Sequence, residues 1–293
     1  MPERVAARRS IAAVLDAAAR QLAQAGLAEP RREATALWAA AGTGVKPGDV
    51  WLRRDAVPPP AVAARFRAAL ARRARGMPFA YAVGRVGFRQ VDLALDRRAL
   101  IPRPETEGLV DLVLAWTRGA GAAGVGGVVA DIGTGCGCIA LSLAVEGAFR
   151  RIIAVERSAE AAALARENVA RVCPPVPVEV HAGDLLAPLA GERLRAIVSN
   201  PPYLTMAEYA ALDPAVRLWE PGAALVSGTD GLSATRALLA GARAVLECGG
   251  LLALELDARR AAETQALALE LGWPQARVHQ DLFGQPRFLL AVS

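Results

Sequence analysis

From residue 128 onward the chain alternates short apolar runs with longer stretches of helical periodicity, and most runs end in a polar or glycine-rich turn. No other feature constrains the fold as much. Strands separated by helices pair in parallel and are covered on both faces. Val128 to Ile132 reads as a first strand, followed by Gly133-Thr134-Gly135-Cys136-Gly137 and a helical run, Cys138 to Val145. Arg151 to Val155 reads as a second strand ending in Glu156, and Val178 to His181 as a third, leading into Gly183-Asp184-Leu185. Leu194 to Ser199 reads as a fourth and buried strand, and a fifth ends at Glu255. The last two strands, near 276–281 and 287–292, are joined by Phe283-Gly284-Gln285-Pro286, a hairpin connection, so one strand runs antiparallel. The pattern predicts an α/β, mostly parallel, doubly wound sheet.

Such a sheet binds ligands beyond the C-terminal ends of its strands. Glycines at 133, 135 and 137 let the backbone turn tightly and approach a ligand. Their spacing, G-x-G-x-G, differs from the G-x-G-x-x-G of dinucleotide folds. Glu156, at the end of the second strand, is placed to bind ribose hydroxyls. Asp184, after the third, can accept from an adenine amino group. The fourth strand ends in Asn200-Pro201-Pro202-Tyr203. Pro202 has a fixed φ and pushes Pro201 toward an extended conformation, which stiffens the turn. The Asn200 side-chain carbonyl and the Pro201 backbone carbonyl can then each accept one N–H of an –NH2 group, with the Tyr203 ring against its plane. An ordinary proline-rich turn is the alternative, and the upstream motifs weigh against it.

Glycine loop, two acids and Asn-Pro-Pro-Tyr, in this order, resemble a class I S-adenosylmethionine-dependent methyltransferase acting on an amide or amino nitrogen. Leu100-Ile101-Pro102-Arg103-Pro104-Glu105-Thr106-Glu107 narrows the resemblance to the peptide chain release factor N5-glutamine methyltransferase family, often called PrmC or HemK. Pro78-Phe79-Ala80-Tyr81, Gly228 to Leu232, and Gly249 to Leu252 before Glu255 also match. The resemblance implies a Rossmann-like catalytic domain with an antiparallel last strand. It implies an S-adenosyl-L-methionine site from Asp131, Gly133, Thr134, Gly135, Cys136, Gly137, Glu156, Asp184, Leu185 and Asn200. It assigns substrate binding and catalysis to Asn200, Pro201, Pro202 and Tyr203. The implied substrate is the glutamine of the Gly-Gly-Gln loop of class I peptide chain release factors. Pro-Arg-Pro-Glu, where the sister family acting on a ribosomal protein typically has Pro-Arg-Ser-Pro, favours the release factor. That sister activity and adenine-N6 methylation of nucleic acid are the alternatives. The same segment also reads as a helix start with Pro104 at the first helical position.

Three positions depart from the family pattern. Leu256-Asp257-Ala258-Arg259-Arg260 follows Glu255 where Ile-Gly-x-x-Gln is usual, at the expected mouth of the pocket. Cys136 replaces the more usual Ser, and Glu156 the common Asp.

Upstream, 10–25, 31–41 and 61–75 carry apolar residues at helical spacing, Val62, Phe66 and Leu70 sharing one face of the third. The expected organisation is an N-terminal helical substrate-docking domain over 1–78, a β-hairpin linker over 79–103 and the catalytic domain over 104–293. A turn is expected at Gly42 to Pro47, and a flexible loop at Gly119 to Gly127. Charge divides along the same line. Up to Arg103 nineteen Lys and Arg face eight Asp and Glu (+11), and beyond it fifteen face twenty-one (−6). The basic half reads either as a docking patch for an acidic partner or as a solvated surface. Arg4, Arg8 and Arg9 before Ile11 to Ala19 faintly imitate a secretion leader, but Asp16 interrupts the apolar run, which fits an amphipathic helix better. No uncharged apolar run is long enough to span a bilayer. Cys136, Cys138, Cys173 and Cys248 lack zinc-ligand spacing, and His181 and His279 lack a nucleophile partner. The expectation is a monomeric cytoplasmic enzyme with no metal, no stable nucleic-acid partner and no membrane contact.

Overall fold

The computed structural model describes residues 10–42, 47–119 and 126–293. The expected turn at 42–47, the loop at 119–127 and the three N-terminal arginines lie wholly or mostly outside these residues. The chain divides into two compact units, Met1–Gly84 and Arg85–Ser293. No described helix is long and apolar enough to cross a membrane.

The first unit is helical: α1 (Ile11–Gln24), α2 (Pro30–Ala41), α3 (Pro47–Leu52), α4 (Pro60–Arg73) and α5 (Phe79–Val83). Ser10 caps α1 by accepting from the Ala13 N–H, and prolines open α2 and α4 where no N–H is needed. Leu22, Leu37, Trp38, Phe66 and Leu70 form its core, with Trp38 and Phe66 edge to face at 5.1 Å. The half-buried Arg73–Glu33 pair at 3.1 Å ties α4 to α2. Phe79 to Val83, expected as the start of a hairpin, is helical, ending at Gly84 in the left-handed conformation (φ 78°).

The hairpin itself is β1 (Arg85–Phe88) with β2 (Val91–Ala94), and it belongs to the second unit. Asn168 anchors it. The Asn168 Oδ1 accepts from the Ala94 N–H at 2.7 Å and its Nδ2 donates to the Ala94 carbonyl at 3.0 Å. After α6 (Thr106–Gly119) come β3 (Val128–Ile132), α7 (Cys138–Glu146), β4 (Arg151–Glu156), α8 (Ala159–Val172), β5 (Val178–Ala182) and β6 (Leu194–Ser199). Then follow α9 (Met206–Ala210), α10 (Pro214–Trp219), α11 (Ser233–Gly241), β7 (Leu246–Glu255), α12 (Ala261–Glu270), β8 (Gln275–Gln280) and β9 (Pro286–Val292). Helix α6 begins at Thr106, so Pro104 sits in the preceding turn rather than at the first helical position.

The large sheet has seven strands in the order β5-β4-β3-β6-β7-β9-β8. β3 to β7 run parallel, and β9 is antiparallel to both neighbours. β3 and β6 are buried along their whole length, as central strands covered on both faces must be. Ile132, Val155, Ile197, Leu252, Leu254, Leu289 and Trp273 belong to one continuous core.

Candidate active site

The chain leaves β3 toward β4 and β5, then returns to lay β6 on the other side of β3. The crevice between the C-terminal ends of β3 and β6 is therefore the topological switch point where open α/β sheets bind ligands. Ser199 closes its base by donating to the Ile132 carbonyl at 2.7 Å.

The glycine loop lines one side. Gly133 and Thr134 both donate to the Val155 carbonyl, at 2.9 and 3.0 Å, which pins the loop to β4. Gly133 and Gly135 have φ of 71° and 57°, and a Cβ at Gly133 would meet nothing within 4 Å. The outer edge of this loop is thus open to close approach. Gly137 differs: a Cβ there would lie 3.3 Å from Leu141 Cδ1, so it serves the packing of α7.

Asp131 is fully buried at the end of β3. Its Oδ2 accepts from Thr134 Oγ1 at 2.6 Å and from the Ala140 N–H at 3.0 Å, while Oδ1 has no partner. Burial, opposed by these two bonds and helped by nearby Glu156, pushes its pKa up to about 7. The Thr134 side chain, expected to face a ligand, is consumed in this bond. Cys136 is buried, and its carbonyl accepts from Asn168 Nδ2 at 2.9 Å, so Asn168 braces hairpin and loop together. Glu156 accepts from the Gly135 N–H and the Ser158 N–H, both at 2.9 Å. Each carboxylate oxygen keeps a second lone pair for a hydroxyl donor. Asp184 is exposed at the rim, 4.0 Å from Arg157. Leu185 has a left-handed backbone (φ 46°), and its side chain packs against the sheet core, which leaves only its backbone to face a ligand.

Asn200 follows β6 directly. Its Nδ2 donates to Thr106 Oγ1 at 3.2 Å, and Thr106 donates to Glu255 Oε2 at 2.6 Å. Burial raises the Glu255 pKa to about 7, against the pull of Thr106 and of Arg287. Pro201 is buried and Tyr203 half-buried. Burial and the nearby Glu255 push the Tyr203 phenol up to about 12, against Arg287 and Arg103.

The segment after the tetrapeptide is strapped down. Leu204 exchanges backbone bonds with Leu225 (2.9 Å) and Ser227 (2.8 Å), and a Thr205–Glu208 capping box starts α9. The buried carboxylate of Glu220 accepts from Arg103 at 2.8 Å and from the Ile101 N–H at 3.1 Å. The loop after Glu255 is held by ion pairs. Arg260 donates to both Glu208 oxygens at 2.9 Å, to Asp257 at 3.0 Å and to the Asp230 carbonyl at 2.8 Å. Arg259 adds a 2.9 Å contact to Glu208. These charges tie the end of β7 to α9. Among the described residues no cluster of His, Cys, Asp or Glu could hold a metal ion.

Two family profiles match, one described as the PrmC N-terminal domain over residues 13–84 and one as the methyltransferase small domain over residues 121–216. The release factor glutamine methyltransferase of Cereibacter sphaeroides is 40% identical, over 94% of this chain and 96% of its own. That of Moorella thermoacetica is 39% identical, with the same two coverages of 94% and 96%. The chain belongs to the release factor glutamine methyltransferase family. A methyltransferase from Pyrococcus furiosus superposes with a TM-score of 0.51 at 21% identity, covering 69% of this chain and 88% of that one. The hMettl16 catalytic domain, solved with the MAT2A 3'UTR hairpin 6, gives 0.56 at 17%, covering 79% and 81%. Both show the class I methyltransferase fold.

Within the family frame, the sequence reading missed three residues. Thr106 and Glu255 stood inside quoted motifs without a role. Asn168 was unnoticed, though an Asn on the buried face of α8, with Leu164 and Ala165, is a signal that a buried polar group has partners to find.

Proposed function

We propose that this chain transfers a methyl group from S-adenosyl-L-methionine to the side-chain amide nitrogen (N5) of the glutamine in the Gly-Gly-Gln loop of class I peptide chain release factors. Family membership supports the reaction class, and one observation carries the site. The Asn200 amide turns its Nδ2 to Thr106 Oγ1, so its carbonyl oxygen is left to accept from a substrate. That oxygen and the Pro201 carbonyl are the two acceptors an –NH2 group needs.

The residues present suit the methyl donor. The open edge of Gly133 and Gly135 admits close backbone approach, and Glu156 and Asp184 supply acceptors for its hydroxyl and amino groups. When bound, it supplies an electrophilic methyl on a sulfonium, with a neutral thioether as leaving group. The rest falls to the protein. An amide nitrogen is a poor nucleophile because its lone pair is delocalised. Asn200 Oδ1 and the Pro201 carbonyl fix the two N–H groups and so orient the lone-pair face. Both dipoles, with the face of Tyr203, stabilise the positive charge that grows on nitrogen. Once methylated, that nitrogen is acidic and loses its proton without a strong base. Pro201 and Pro202 keep the acceptors from relaxing away.

The first unit acts as the docking domain. A groove of about 740 Å³ lined by Val14, Ala17, Val57, Pro59, Phe66 and Arg67 supports this, being apolar with a cation in its wall. The enzyme works as a cytoplasmic monomer, where release factors act. Incubation with labelled S-adenosylmethionine and either release factor or nucleic acid, followed by mass spectrometry of the product, tests the assignment. Label in DNA or RNA with none in release factor would reject it.

A further inference from the structure

We propose that Thr106 and Glu255 are positioning residues that fix which end of the Asn200 amide faces the acceptor, and thereby make the site select a carboxamide over a carboxylate. The inference rests on the glutamine-methylating reading above and adds the origin of its selectivity.

The three groups come from three elements: Thr106 opens α6, Asn200 follows β6 and Glu255 ends β7. Thr106 and Glu255 are each 2% exposed, so water cannot substitute for the protein partners. A threonine hydroxyl has one proton. At 2.6 Å from Glu255 Oε2 that proton goes to the ionised carboxylate, because the carboxylate can only accept. The Thr106 oxygen is then an acceptor toward Asn200, and the atom facing it at 3.2 Å has to be the NH2. A reversed amide would set Asn200 Oδ1 against the Thr106 oxygen, which can then only accept, and leave that bond unmade in a site closed to water. The relay therefore decides the orientation of an amide whose two ends are otherwise nearly isosteric. It also polarises the outward carbonyl, since each bond in such a chain strengthens the next.

The consequence is a site built of two acceptors. A glutamine offers two N–H donors to Asn200 Oδ1 and the Pro201 carbonyl. A glutamate offers only oxygens and is repelled. With the amide reversed the site would present an N–H and tolerate the carboxylate. Protonating Glu255 permits that reversal, because its hydroxyl can then donate to Thr106 and free the Thr106 proton for Asn200 Oδ1. The charged and titratable groups around Glu255 are Glu105 before α6, Arg287 on β9 and Tyr203 in the turn, with burial setting the balance near 7.

The test compares the full-length wild type with Thr106→Val, Thr106→Ser and Glu255→Gln. Turnover on release factor is measured from pH 6 to 9, with a Gln→Glu release factor as competitor. Thr106→Val should lower kcat by up to about 100-fold, the scale of a misaligned acceptor, with little change in KM. The glutamate competitor, weak against the wild type, should gain potency. Thr106→Ser keeps the hydroxyl and should restore both. Wild-type kcat should rise with pH through about 7, and Glu255→Gln should abolish that rise. Equal kcat and discrimination in wild type and Thr106→Val would overturn the inference, as would Thr106→Ser failing like Thr106→Val. Should Thr106→Val not fold, Thr106→Ser and the Glu255→Gln pH profile decide alone. A wild type that leaves release factor unmethylated rejects the glutamine reading and this inference with it. An active wild type indifferent to both positions rejects this inference alone.

Discussion

Replacing Asp131 with Asn should flatten the pH dependence of stability of the ligand-free protein. The Asp131 carboxyl is shifted from 3.8 to about 7 in the folded state, chiefly by burial. A raised pKa means the folded state prefers the neutral acid. Its stability contribution is fully present below the unfolded value, 3.8, and is lost as pH rises through about 7. The whole shift corresponds to on the order of 4 kcal/mol. Roughly half has already gone by pH 5.5, so about 2 kcal/mol should be lost between pH 5.5 and 8.5. Glu255, raised from 4.5 to about 7, acts in the same direction. It should remove roughly another 2 kcal/mol over that window. Asp131→Asn keeps one oxygen for Thr134 and Ala140 but cannot ionise, so its curve should fall only by the Glu255 share. Urea unfolding at a series of pH values in both proteins gives the comparison. Parallel curves would show that Asp131 is ionised without penalty and would refute the burial argument.

Asn200→Ala should lower single-turnover rates by about 100- to 1,000-fold, the scale for one lost charge-stabilising group, with calorimetric affinity for S-adenosylmethionine unchanged. A small loss would end the two-acceptor clamp. Glu156→Ala removes the acceptor of the Gly135 and Ser158 N–H groups and should weaken cofactor binding by about 1–3 kcal/mol; titration with unaltered affinity removes it from the site. Full-length release factor should be methylated far faster than a short Gly-Gly-Gln peptide, because a second contact raises the effective concentration of the loop. Equal rates on both would leave the first unit without a docking role.

Glycine spacing, Asn-Pro-Pro-Tyr and the apolar runs are local signals, and they were legible. A strand-end turn is set by the φ preferences of its own few residues, and a buried parallel strand by its unbroken apolar run. The sheet, its antiparallel β9 and the cluster of motifs at one edge followed from these, with helix boundaries off by a residue or two where helices fray. The short helices α3, α5, α9 and α10 were missed because five or six residues carry too little periodicity to register.

Three features were decided only by tertiary structure. Thr106 and Glu255 meet across 149 positions and Asn200 and Thr106 across 94, so no spacing in the sequence announces the relay. Only the fold shows the arginines of the loop from Leu256 to Arg260 reaching Glu208 on α9. The pKa values of Asp131 and Glu255 likewise belong to burial, which a sequence does not contain. The chain's local chemistry determined which groups stand at the strand ends. The folded core, by excluding water from between them, decided which are donors, which are acceptors and which carboxyls hold a proton near neutrality.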